Sequence, residues 1–160
     1  MPDSLDYRAE IIRLCKQERD NKTPYVYGGQ LLGLSLDCSG LVIAVFTELC
    51  LINPGTDLSA NDLYRRALPL RLRDLRGGDL VFYTSRRNYL TSHDPRISHV
   101  AVYIGNDLDH RPHVIHASGG DETCTSIDIA RKRGARVKQT LISHHPYLIG
   151  FGSIDPWLPD

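Results

Sequence analysis

Leu36-Asp37-Cys38-Ser39-Gly40-Leu41-Val42 is the stretch whose reading decides this chain. A cysteine stands between an acidic residue and Ser-Gly, at the head of the apolar run Leu41, Val42, Ile43, Ala44, Val45, Phe46. A run of that character suits a buried helix. A cysteine in the first turn of a helix meets backbone N–H groups that lack partners, and the positive end of the macrodipole. Both favour the thiolate, the nucleophilic form of the side chain. Downstream, Ile97-Ser98-His99-Val100-Ala101-Val102-Tyr103-Ile104 sets a histidine at the start of a β-type run. Val114-Ile115-His116-Ala117 supplies a second histidine in another such run. A cysteine and two histidines on three separate elements, in that order, outline a cysteine hydrolase.

Working outward, the pattern predicts a helix capped by Ser4 and running to about Glu18, broken by Asn21-Lys22-Thr23-Pro24. Tyr25-Val26-Tyr27 reads as a short extended piece turned by Gly28-Gly29. The helix from Cys38 is predicted to reach about Leu51, before Asn53-Pro54-Gly55. Ser59 or Asn61 caps a short helix to about Ala67. Gly77-Gly78 turns the chain into a strand over Leu80–Tyr83. Residues 84–97 read as a polar, basic loop. Val100–Ile104 and Val114–His116 are strands joined by a longer connection over Asn106–Pro112. Thr123–Ile127 and Leu148–Phe151 are predicted as further strands. Helices first and an antiparallel meander after make the class α+β, in one domain over residues 1–160.

The chain resembles the NlpC-type, papain-like cysteine peptidases that cut peptidoglycan stem peptides. The resemblance rests on five segments in order: Tyr25-Val26-Tyr27-Gly28-Gly29, Asp37-Cys38-Ser39-Gly40-Leu41-Val42, Gly78-Asp79-Leu80-Val81-Phe82-Tyr83, Ser98-His99-Val100-Ala101-Val102-Tyr103-Ile104-Gly105, and Val114-Ile115-His116-Ala117-Ser118. They span about residues 24 to 120. It implies an antiparallel sheet packed against helices, with Cys38 at a helix N-terminus as nucleophile. It implies His99 as the general base, paired with Cys38 as thiolate and imidazolium, and His116 as the group that orients it. His113 and His110 stand close enough in sequence to be mistaken for His116. The Cys38 backbone N–H is expected to face the oxyanion. Tyr27 aligns with an aromatic lining the site, with Tyr25 the other candidate, and Asp37 and Ser98 with positions that hold the free amine end of the substrate.

The activity implied is hydrolysis, through an acyl-enzyme, of the γ-D-glutamyl link to diaminopimelate or lysine. The other readings are an acyltransferase or deamidase on the same Cys-His core, and a non-catalytic wall-binding module. A zinc site built from Cys38, His99 and His116 is disfavoured, because the chain has no tight ligand pair. No cofactor and no metal are implied.

At 160 residues, 41% hydrophobic and 24% charged, the chain has the length and composition for a sizeable core. Nineteen basic residues balance nineteen acidic ones, so global charge argues for neither nucleic acid nor a membrane surface. Basic clusters at Arg71–Arg76 and Arg131–Arg136 read as solvated faces. Cys15 and Cys50 are expected as inert buried thiols, and no disulfide framework is expected. Met1–Asp6 lacks the basic and apolar regions of a secretory signal, and no stretch approaches a membrane span. The expectation is a monomer made in the cytoplasm that reaches the cell wall by release or export. That places it with a holin-released lysin, or with an exported effector that has an immunity partner.

Overall fold

The structure, a computed structural model, describes residues 5–160. Helix α1 (Tyr7–Asp20) opens at Asp6, whose side chain accepts a 3.1 Å hydrogen bond from the Ala9 N–H. The Ser4 cap predicted from sequence lies outside the described residues. Ile11, Leu14, Cys15 and Glu18 are buried along α1, an i, i+3, i+4, i+7 stripe that turns one face inward. Glu18 uses its carboxylate to accept the Gly33 N–H at 2.8 Å. Gly33 sits at the tip of a short hairpin, β1 (Gln30–Leu31) and β2 (Ser35–Leu36). Two-residue strands are too short to show alternation, and the sequence pattern does not reveal them. The predicted extended piece Tyr25–Tyr27 forms no strand: an isolated bridge joins Tyr25 to Leu36, and another joins the preceding Pro24 to Arg136.

Helix α2 (Cys38–Glu48) is buried without interruption from Gly40 to Phe46. It stops short of the predicted Leu51. Cys50 takes a left-handed backbone (φ 57°), with Cys50 N–H donating to Thr47 O and Leu51 N–H to Phe46 O. That pair of bonds is a Schellman closure, and it ends the helix ahead of the Pro54-Gly55 signal. Cys50 is consequently exposed, against the expectation of a buried thiol; Cys15 is buried as expected.

Ser59 caps α3 (Ala60–Arg66) through a capping box with Asp62. Strands β3 (Leu68–Leu70) and β4 (Leu80–Tyr83) follow. The predicted loop over 84–97 contains helix α4 (Arg86–Thr91), because the Ser85 hydroxyl accepts the Asn88 N–H at 3.1 Å and nucleates a turn. Strands β5 (His99–Asn106) and β6 (Pro112–Ser118) extend further into their connection than predicted. There Asp107 accepts from Asp109 N–H, Arg111 N–H and the Arg111 guanidinium.

The strand predicted at Thr123–Ile127 is not formed. Asp121 turns the chain by accepting from Thr123 N–H, and Ser126 caps helix α5 (Ile127–Arg133). Local side-chain-to-backbone bonds of Asp, Thr and Ser win over β propensity there. Strands β7 (Arg136–Leu141), absent from the predicted elements, and β8 (Leu148–Ser153) complete the order.

Six strands form one antiparallel sheet in the order β3-β8-β4-β5-β6-β7. Alternation sorts its residues. Leu80, Phe82, Val100, Val102, Ile115 and Ala117 join the core that includes α1 and α2. Val81, Tyr83, Ala101, Tyr103 and Val114 pack on the other face, with Ile142. The class is α+β, as the sequence predicts.

Candidate active site

Asp37 and Gly40 set the start of α2. The Asp37 carboxylate accepts the Gly40 N–H at 2.7 Å and the Gly28 N–H at 2.8 Å. One side chain therefore caps the helix and ties it to the preceding turn, where Gly28 has φ 79°. A Cβ on Gly40 would lie 1.8 Å from the Gly29 carbonyl oxygen, so only glycine lets these two backbone segments touch. Burial pushes the Asp37 carboxyl above its ordinary range, against the pull of its backbone donors.

Cys38 is the first residue of α2 and is 9% exposed. Its thiol donates toward the Ser98 carbonyl oxygen at 3.8 Å. The nucleophile candidate thus rests against the strand at the residue before His99. Burial, aided by the neighbouring Asp37 charge, pushes the thiol up to about 11; the N–H groups of Val100, Ser39 and Cys38 pull the other way. Desolvation is the largest influence on the thiol, and it opposes the pull of the helix N-terminus.

His99 opens β5 opposite Tyr83 on β4. Its ring leaves the strand on the Tyr83 side, with ring centroids 5.7 Å apart. Its Nε2 lies 2.7 Å from His116 Nδ1. His145 stacks on the His99 ring, with centroids 4.8 Å apart and planes 5° from parallel. Burial, with the His116 and His145 rings beside it, holds His99 well below the ordinary histidine value. Burial thus works against charge on both members of the expected Cys38–His99 ion pair.

His116 lies in β6 and is 1% exposed. Its Nε2 is 3.0 Å from Thr140 Oγ1 on β7. Burial first, and the nearby His145, His144 and Lys138 after it, hold His116 down to about 4. His113 instead meets Asp107 at 2.9 Å, and His110 occupies a left-handed turn in the same connection. Of the three histidines near this hairpin, His116 is the one that meets His99.

Tyr27 is 60% exposed, whereas Tyr25 is 7% exposed. Gly120 leaves room for the Tyr25 ring, since a Cβ there would come within 2.1 Å of it. Burial raises the Tyr25 phenol, and the nearby Cys38 and Asp37 add to the shift. Of the two candidate aromatics, Tyr25 is thus packed in the core cluster that also holds Cys38, and Tyr27 is exposed. Ser98 is exposed, and its backbone links Tyr83 and Cys38. Thr140 and His145 did not emerge from sequence reading. Thr140 lies on a strand whose basic residues mask the alternation, and His145 lies in a loop. Among the described residues, no helix is long and apolar enough to cross a membrane.

Comparison with known proteins adds independent findings. The family model described as NlpC/P60 family matches residues 22–143. Murein DD-endopeptidase MepH of Escherichia coli (strain K12) is 38% identical over 86 residues, which are 52% of this chain and 28% of MepH. Probable endopeptidase YafL of the same organism is 30% identical over 97 residues, 59% of this chain and 36% of YafL. The chain thus spans about a third of the length of these curated relatives. The solved structure of NlpC1 from Trichomonas vaginalis superposes with a TM-score of 0.69 at 19% identity, over 96% of this chain and 46% of NlpC1. The fold is that of papain-like NlpC/P60 domains.

Proposed function

The chain belongs to the NlpC/P60 family, and on that premise we propose that it is a cysteine peptidase hydrolysing an amide bond in peptidoglycan stem peptides. One observation carries the reading. Cys38 Sγ rests on the backbone at Ser98, and the next residue's ring has its Nε2 engaged by His116 at 2.7 Å. An engaged Nε2 leaves Nδ1 of His99 as the nitrogen for the cysteine proton.

In this mechanism Sγ–H gives its proton to His99 Nδ1 as sulfur attacks the scissile carbonyl carbon. The developing oxyanion is met by the Cys38 N–H, which has no acceptor within the helix at its first position. Collapse breaks the C–N bond, and the imidazolium returns its proton to the leaving amine. Water, deprotonated by His99, then attacks the thioester and restores the thiol. Burial that works against charge on both groups supports proton transfer coupled to attack. Tyr25 lines the nucleophile, while Asp37 and Ser98 flank it on the amine side. Tyr27, more exposed, contacts substrate further out.

The bond proposed is the γ-D-glutamyl link to diaminopimelate or lysine. The 38% identity to a relative named a DD-endopeptidase favours a D,D bond as the second reading. Digestion of purified muropeptides by the wild type and by Cys38→Ala, read by mass spectrometry, tests both. A product pair split at D-glutamate supports the first, and one split between D-residues the second. No cleavage, or equal cleavage by Cys38→Ala, overturns the cysteine-peptidase reading.

A further inference from the structure

His116 is gripped at both ring nitrogens, and the proposed reaction accounts for only one of these contacts. Nδ1 faces His99 Nε2 at 2.7 Å, and Nε2 faces Thr140 Oγ1 at 3.0 Å. We propose that Thr140 is a positioning residue, which supplies the acceptor that lets His116 present a lone pair to His99. The inference rests on the cysteine-peptidase reading above.

A neutral imidazole carries one N–H and one lone pair. If His116 is protonated on Nε2, it donates to Thr140 Oγ1 and its Nδ1 accepts the His99 Nε2–H. His99 Nδ1 is then unprotonated and able to take the cysteine proton. The opposite arrangement puts the His116 proton on Nδ1, aimed at His99 Nε2. That forces the His99 proton onto Nδ1 and removes the base. During attack His99 carries protons on both nitrogens, and only the first arrangement satisfies its Nε2–H.

Thr140 permits the first arrangement in a buried site, because its hydroxyl can accept the Nε2–H. His116 is 1% exposed, so an Nε2–H without an acceptor would be an orphaned buried donor, which folded proteins rarely tolerate. The fold brings Thr140 to this place by register. It pairs with Val114 on β6, two residues from His116, and His116 pairs with Lys138. Val114, His116, Lys138 and Thr140 therefore share one sheet face. Besides His99, the cationic or titratable groups around His116 are Lys138, on that face, and His144 and His145, from the segment after β7, and these three oppose its protonation. A histidine held neutral, with its donor spent on Thr140, offers His99 one acceptor, as an amide oxygen would.

The test compares wild type, Thr140→Val and Thr140→Ser. Valine keeps the shape and removes the acceptor; serine keeps the acceptor. On muropeptides Thr140→Val is expected to lower kcat about ten-fold, the size of one hydrogen bond expressed in a barrier, with KM little changed and Thr140→Ser recovering most of it. Imidazole 15N–1H spectra read the tautomer without any turnover. Wild-type His116 is expected as Nε2–H, with Nδ1–H gaining in Thr140→Val. An Nδ1–H His116 in the wild type overturns the proposal even if Thr140→Val does not fold. So does a Thr140→Val enzyme with unchanged kcat and tautomer. If the wild type cleaves no muropeptide, the peptidase reading fails, and the ring spectra still decide the link between Thr140 and His116.

Discussion

His99 Nε2 and His116 Nδ1 lie 2.7 Å apart, with the two rings edge to face at 67°. In the proposed mechanism that contact occupies Nε2 of His99 and leaves Nδ1 for the cysteine proton. It also makes the two histidines unequal, since one would move a proton and the other only holds it.

His99→Ala is therefore expected to lower muropeptide hydrolysis by roughly 10²–10⁴, the range of a lost acid–base group. His116→Ala is expected to cost less, and His116→Asn or Gln to recover part, because either amide oxygen accepts the His99 N–H. His113→Ala and His110→Ala should leave the rate near wild type. Initial rates with melting curves check this, and a larger loss from His113→Ala than from His116→Ala would contradict the assignment.

The depressed histidines predict a pH dependence of stability. Above pH 6.5 both folded and unfolded chains carry neutral His99 and His116, and burial of the rings costs nothing in protons. Below 6.5 the unfolded chain takes up protons that the folded chain refuses, until pH reaches about 4 for His116; His99, also held well below the ordinary value, acts in the same direction. Melting temperature should fall from pH 6.5 toward pH 4, and His116→Gln should flatten part of that fall. A melting temperature unchanged across this window in the wild type would show the rings titrating normally.

Thiol labelling should separate the four cysteines by burial. Cys50 is exposed and should react with iodoacetamide as an ordinary thiol, while Cys15 and Cys124, both 0% exposed, should be protected. Cys38 should react only with help from the imidazole, so His99→Ala should slow labelling at Cys38 and leave Cys50 unchanged. Peptide mass spectrometry reads each site. Equal Cys38 labelling in wild type and His99→Ala would argue against the pair.

Gly40→Ala should lose both fold and activity, since its Cβ would meet backbone at 1.8 Å and no side-chain rotation relieves that contact. A destabilisation of about 3 kcal/mol or more is expected from such overpacking. Asp37→Ala should cost about 1–2 kcal/mol through the lost cap, and Asp37→Asn less. If Asp37→Asn melts like the wild type yet loses hydrolysis, the carboxylate charge also serves the substrate. Denaturant unfolding and KM values distinguish the two.

Residues 36–42 by themselves determine that a helix starts at Cys38, because the cap, the close-approach glycine and the apolar run are all local signals. The strand at Leu80–Tyr83 and the order of cysteine and two histidines are legible for the same reason. Where short polar residues compete for the backbone, as at Thr123–Ser126 and Ser85, sequence alternation misleads, and local hydrogen bonds choose turn and helix instead. The rest is decided by partners distant in sequence. Strand register puts His116, and not His113, against His99, and sets Thr140 behind it. Packing buries Tyr25 in the core cluster that holds Cys38 and leaves Tyr27 outside. Above all, the depth of the site pushes the Cys38 thiol up and holds the His99 imidazole down. Desolvation depends on everything that surrounds a side chain, and no stretch of neighbouring residues carries that information.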